Sequence, residues 1–101
     1  MNYKFEFNHS SFKWEKEYYE FNMLVTKKII HMIMDMFRIR GYLYLNQVYE
    51  YFGMKWNPDN ENALIRYHAC YDRERPLFYY DEDENKDCVH IMIDAYYEED
   101  S

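Results

Sequence analysis

Two short segments carry the residue types best suited to chemistry, His68-Ala69-Cys70 and Cys88-Val89-His90. If both are strands, residues two apart project to one side, and neighbouring strands could present two thiols and two imidazoles to one Zn²⁺. Tight zinc sites place their cysteine pair two to four residues apart, a spacing these two lack. The reading favoured is therefore buried thiols beside surface imidazoles, with no metal or other cofactor expected. Asp81-x-Asp83-x-Asn85-x-Asp87 has the spacing with which a calcium loop begins. Lys86 stands where that loop needs Gly, and Met92 where its bidentate Glu belongs, so a solvated hairpin tip is the plainer account. His31 and Asp35, four apart on a helix, could supply half of a catalytic dyad. No third group completes it, Ser10 and Ser11 lie in no nucleophile motif, and two glycines cannot build a phosphate-cradling loop. The chain reads as a non-enzyme.

Charge is the stronger signal. Residues 1–70 hold nine Lys/Arg and eight Asp/Glu, whereas residues 71–101 hold three and eleven. The net charge of −7 thus comes wholly from the last third. Nucleic-acid binding rests on neutralising phosphates with Lys and Arg, so direct binding is disfavoured there. The electrostatically natural partner is a basic protein, or a groove that normally holds nucleic acid. The residues expected to meet it are Asp81, Glu82, Asp83, Glu84 and Asp87, with Tyr79, Tyr80, Tyr96 and Tyr97 as rings alongside. A solvated acidic edge kept for solubility is the competing account.

These residues need elements to hold them. Tyr3, Phe5 and Phe7 alternate with polar neighbours, the period-two pattern of a half-buried strand. From about Glu15 to Arg40 the spacing is helical. Val25, Ile29, Met32, Ile33 and Met36 form one stripe, and Met23, Ile30, Met34 and Phe37 widen it. So broad an apolar surface suggests a helix held between layers, or one whose outer flank meets a second copy of the chain. Gly41 after Arg38 and Arg40 is a helix stop. Residues 42–45 read as a short strand, with Asn46 as cap of a second helix from Gln47 to Phe52. Residues 63–71 fit either state. Arg75 to Tyr80 and Cys88 to Ala95 read as strands forming a C-terminal hairpin around a polar connection at 81–87, with Glu98 to Ser101 fraying.

At 101 residues, 49% of them hydrophobic, the chain is expected to form one α+β domain over residues 1–101. That domain is one long central helix packed on a small antiparallel sheet, with a short second helix and the C-terminal β-hairpin. Leu, Ile and Val number fifteen against twenty-two aromatic residues, so rings and Met must fill much of the core. Thirteen tyrosines cannot all be buried with paired hydroxyls, and exposed Tyr is over-represented where proteins grip one another. No apolar run reaches the length of a membrane span, no charged-then-apolar leader opens the chain, and two cysteines are too few for a disulfide scaffold. A cytoplasmic protein is the default reading.

The run Arg40-Gly41-Tyr42-Leu43-Tyr44-Leu45-Asn46-Gln47-Val48-Tyr49-Glu50-Tyr51-Phe52-Gly53 is similar to a stretch in small uncharacterised proteins from phages and mobile elements of gram-positive bacteria. There too a hydrophobic helix precedes a short strand, a short helix and Gly. The similarity spans about residues 18–57 and carries no catalytic motif. It implies a phage or mobile-element setting, where short acidic proteins that inhibit host defence systems are frequent. The expected function is accordingly a small acidic protein-binding module, an anti-CRISPR-like inhibitor of DNA-mimic type that would act in the host cell cytoplasm. Two alternatives stand beside it. One is a winged-helix DNA-binding regulator, with residues 45–52 and 59–70 as its helices and the hairpin as wing. The other is a structural homodimer built on the long helix.

Overall fold

The computed structural model of the chain describes residues 2–55, 57–58, 63–66, 78–94 and 96–99. The alternating amino-terminal segment forms β1 (Asn2–Asn8), which pairs antiparallel with β5 (Cys88–Asp94). On its other side β5 pairs with β4 (Phe78–Glu82), giving a sheet of order β1-β5-β4. Tyr3, Phe5 and Phe7 stand opposite Ile93, Ile91 and Val89, and Phe78 opposite Ile93. One face of this sheet is thus largely apolar: Phe7, Phe78, Val89, Ile91 and Ile93 are buried on it, and Tyr80 and Glu82 at the far end of β4 are exposed.

Helix α1 (Tyr19–Arg40) packs against β4 and β5 of this sheet. It also contacts β2 (Tyr42–Tyr44), which leads directly into α2 (Leu45–Tyr51). β2 belongs to a second antiparallel sheet with β3 (Ala63–Arg66) and β6 (Tyr96–Glu99), in the order β2-β3-β6. The fold is mixed α+β, with the long helix, the short helix and antiparallel strands that the residue patterns imply. α1 ends as expected. Gly41 adopts φ 80, its N–H donates to the Phe37 carbonyl at 2.7 Å, and Arg38 and Arg40 occupy the last turn. Gly53, at φ 71, is required for a second reason, since a Cβ there would lie 2.8 Å from Ser11 Oγ and Lys13 Cγ.

Several expectations need correction. α1 begins at Tyr19 rather than near Glu15, because the Asn22 side chain grips the Glu15 backbone and Glu17 takes φ 75, which interrupts helical geometry. Its buried face is Asn22, Thr26, Ile29, Ile30, Ile33 and Phe37, rotated from the expected stripe. Met32 is half exposed and lies, with Phe21, Leu24 and Ile39, along the helix's outer side. Hydropathy misplaces the face because it discounts Asn22 and Thr26, which bury themselves by bonding backbone: Thr26 Oγ1 donates to the Asn22 carbonyl at 2.8 Å. Asn46 does not cap α2. The N-cap is Tyr44, whose N–H donates to Gln47 Oε1 at 2.9 Å. Asn46 is buried and exchanges two hydrogen bonds with the Asn57 backbone.

The hairpin is β4–β5 and is not the end of the fold. The chain continues into β6, where Glu98 and Glu99 pair with Leu64 and Ala63 instead of fraying. β4 also runs two residues further than expected and takes in Asp81 and Glu82, while 75–77 lie outside the described residues. The winged-helix reading loses its recognition helix, since residues 63–66 are a strand whose amides and carbonyls pair with β2 and β6. No helix among the described residues is long and apolar enough to cross a membrane.

Candidate functional site

The acidic residues sit where β4 turns into β5. Glu82 opposite Val89 is the last strand pair, and the Lys86 N–H closes the turn onto the Asp83 carbonyl at 3.1 Å with Lys86 at φ 58. Asp83 organises this turn. Its Oδ2 accepts the N–H groups of Asn85 (3.1 Å) and Asp87 (3.3 Å), the local bonding for which Asp is favoured in turns. The base of the hairpin is tied to α1 by one hydroxyl. Tyr19 Oη donates to the Cys88 carbonyl and accepts the Asp83 N–H, both at 2.9 Å. Burial, the larger effect, pushes the Tyr19 phenol above its ordinary range.

Asp81, Glu82, Glu84 and Asp87 are exposed around this turn, and Asp83 is partly covered. Among the described residues no Lys or Arg forms an ion pair with any of the five. Asp83 instead meets His90, Oδ1 to Nε2 at 3.0 Å. That contact, helped by the Asp87 and Asn85 amides, holds the Asp83 carboxyl below the usual range. The far nitrogen of the same ring, Nδ1, lies 4.0 Å from Glu6 Oε1 on β1. Cys88 Sγ is 3.8 Å from His90 Nε2, and one ligand-type atom from each of Glu6, Cys88 and His90 falls within 4.8 Å of the others.

Burial, and then the Glu6 and Asp83 carboxylates, push the Cys88 thiol up to about 11. At pH 8 its thiolate fraction is then on the order of one in a thousand, against roughly a quarter for an ordinary thiol near 8.5. Iodoacetamide at pH 8 should label Cys88 at least about a hundredfold more slowly in the folded chain than in urea, as followed by peptide mass mapping. Equal labelling rates would contradict this description of the thiol.

The solvent-side face of the first sheet carries an open groove of about 590 Å³ lined by Lys4, Glu6, Tyr79, Asp81, His90 and Met92 among others. The hairpin thus unites Asp81, Glu82, Asp83, Glu84, Asp87, Tyr79 and Tyr80. Tyr80 is 39% exposed and Tyr79 is half-buried. The backbone of Tyr96 and Tyr97 pairs with Arg66 and Ile65 in the second sheet, and their side chains lie outside the described residues. So do His68 and Cys70. Among the described residues Asp35 pairs with Arg38 at 3.3 Å and not with His31, so the suggested dyad does not form. Ser11 is buried, with its Oγ donating to the Phe52 carbonyl.

Two members of the site escaped sequence reasoning. Glu6 faces His90 only through the β1–β5 register, and the alternation of β1 was the sole hint that it would lie on a solvent-facing side. Tyr19 carried no signal distinguishing it from twelve other tyrosines. No protein-family model, curated protein or solved structure matches the chain.

Proposed function

We propose that the chain is a small acidic, non-enzymatic protein-binding module whose β4–β5 hairpin docks on a basic partner surface. In its finer form, the reading is a phage or mobile-element inhibitor that occupies the nucleic-acid groove of a host defence enzyme, as an anti-CRISPR-like DNA mimic would. One observation carries it: Asp81, Glu82, Glu84 and Asp87 stand exposed around one turn with no Lys or Arg partner among the described residues, and Tyr80 lies beside them. Such a field steers a cationic surface toward the hairpin, and exposed Tyr adds contact area at low entropy cost.

The test is affinity capture from a gram-positive host lysate, with the captured proteins identified by mass spectrometry. A nucleic-acid-handling partner held by the wild-type chain should be lost to Asp81→Asn/Glu84→Gln/Asp87→Asn. It should also be released by duplex DNA and bound at least about tenfold more weakly in 0.5 M than in 0.1 M salt. A partner indifferent to the triple substitution and to salt would overturn the reading.

A further inference from the structure

We propose that Asp83, Cys88 and His90, backed by Glu6, form a binding site for one divalent transition-metal cation of the zinc class. The site neither requires the docking role nor is required by it. Around a tetrahedral zinc, bonds of about 2.0–2.3 Å place nitrogen, oxygen and sulfur ligands about 3.3–3.6 Å from one another. His90 Nε2 already lies 3.0 Å from Asp83 Oδ1 and 3.8 Å from Cys88 Sγ, and one ligand-type atom from each of Glu6, Cys88 and His90 falls within 4.8 Å of the others. The donors are also pre-aimed. Cys88 and His90 are two apart on β5, and the other oxygen of Asp83 is held by two turn amides.

Glu6 completes the design from the opposite side of the ring. With Nε2 given to a metal, Nδ1–H donates toward the Glu6 carboxylate 4.0 Å away, the arrangement that fixes tautomer and orientation in carboxylate–histidine–zinc sites. A thiol, an imidazole and a carboxylate together suit Zn²⁺ or Co²⁺ and not the oxygen-seeking Ca²⁺ or Mg²⁺. Solvent reaches the site, because the His90 side chain is 47% and the Asp83 side chain 20% exposed. The cation enters by displacing the thiol proton to solvent, forming the Cys88 Sγ–metal bond as the S–H bond breaks. It also balances the two carboxylates that now share a single imidazole.

The full-length chain, stripped with a chelator, is titrated with Zn²⁺ by calorimetry and with Co²⁺ by absorption. The expected result is one equivalent per chain and a near-ultraviolet thiolate-to-Co²⁺ charge-transfer band. Cys88→Ser removes the band. His90→Gln, an exposed position whose folding is checked by circular dichroism, weakens Zn²⁺ binding at least about tenfold, and Glu6→Gln weakens it about 10–100-fold. Glu50→Gln on α2 leaves binding unchanged. No saturable Zn²⁺ uptake, unaltered affinity in folded His90→Gln, or a band that survives Cys88→Ser and disappears in Cys70→Ser would each overturn the site.

Discussion

Replacing Phe7 with Ala lowers the free energy of unfolding by about 3–5 kcal/mol. Phe7 is fully buried, and its ring lies 5.2 Å from Trp14 and 5.5 Å from Phe52 by centroid. It joins three parts of the chain: the strand it sits on, the segment leading to α1, and the end of α2. Across the sheet it faces Val89. Truncation removes the ring's transfer energy and leaves a cavity between aromatic neighbours that cannot close without moving the sheet. Domains of this size are stable by about 5–15 kcal/mol, so the loss is a large fraction of the whole. Each kcal/mol should lower the melting temperature by roughly 4–8 °C. Phe7→Leu, which keeps most of the apolar volume, should cost well under half as much. Urea unfolding followed by circular dichroism measures both. A cost below about 1 kcal/mol for Phe7→Ala would mean that this ring is not where the three segments meet.

Asn22→Asp should be nearly as damaging although it changes one atom. The Asn22 side chain is wholly buried; its Oδ1 accepts the Glu15 N–H at 2.9 Å and its Nδ2 donates to the Glu15 carbonyl at 2.8 Å. The substitution preserves shape and the first bond. It replaces the donor by an oxygen facing a carbonyl, and burial then forces either a desolvated negative charge or a protonated acid. The expected loss is about 3 kcal/mol or more, against about 2 kcal/mol for Asn22→Ala, which deletes both bonds without adding charge. The order of the two variants is the informative result. If Asn22→Ala proves worse, then packing and not the directed pair of bonds holds the Glu15 turn. If Asn22→Asp is worse, and recovers part of its loss as pH falls and the acid protonates, the amide clamp is confirmed.

These two residues also mark what could be read in advance and what could not. Phe7 was legible because Tyr3, Phe5 and Phe7 alternate with polar residues, and one periodicity identifies the buried side of a strand. β5 and the Gly41 stop were legible for similarly local reasons. Asn22 was opaque, since hydropathy scores an amide as surface and its partner lies seven residues away in an irregular turn. Asn46, clamped to the Asn57 backbone, was read as a cap for the same reason. β3 has only four residues and no alternation, so its state depends on β2 and β6, which flank it. At the candidate site the acidic turn was visible as composition. The convergence of Glu6 with Cys88 and His90 was not, because it depends on a strand pairing that local pattern does not encode.

That pairing has a consequence for how the molecule comes into being. β1 carries Tyr3, Phe5 and Phe7, and its hydrogen-bonding partner is β5, with Asn2 opposite Asp94 and Asn8 opposite Cys88. During synthesis β1 therefore emerges from the ribosome long before its mate, with three aromatic rings and an open strand edge facing solvent. Closure of the sheet waits for release of β5, so the nascent polypeptide is most vulnerable to sticking and to chaperone capture until that strand has emerged.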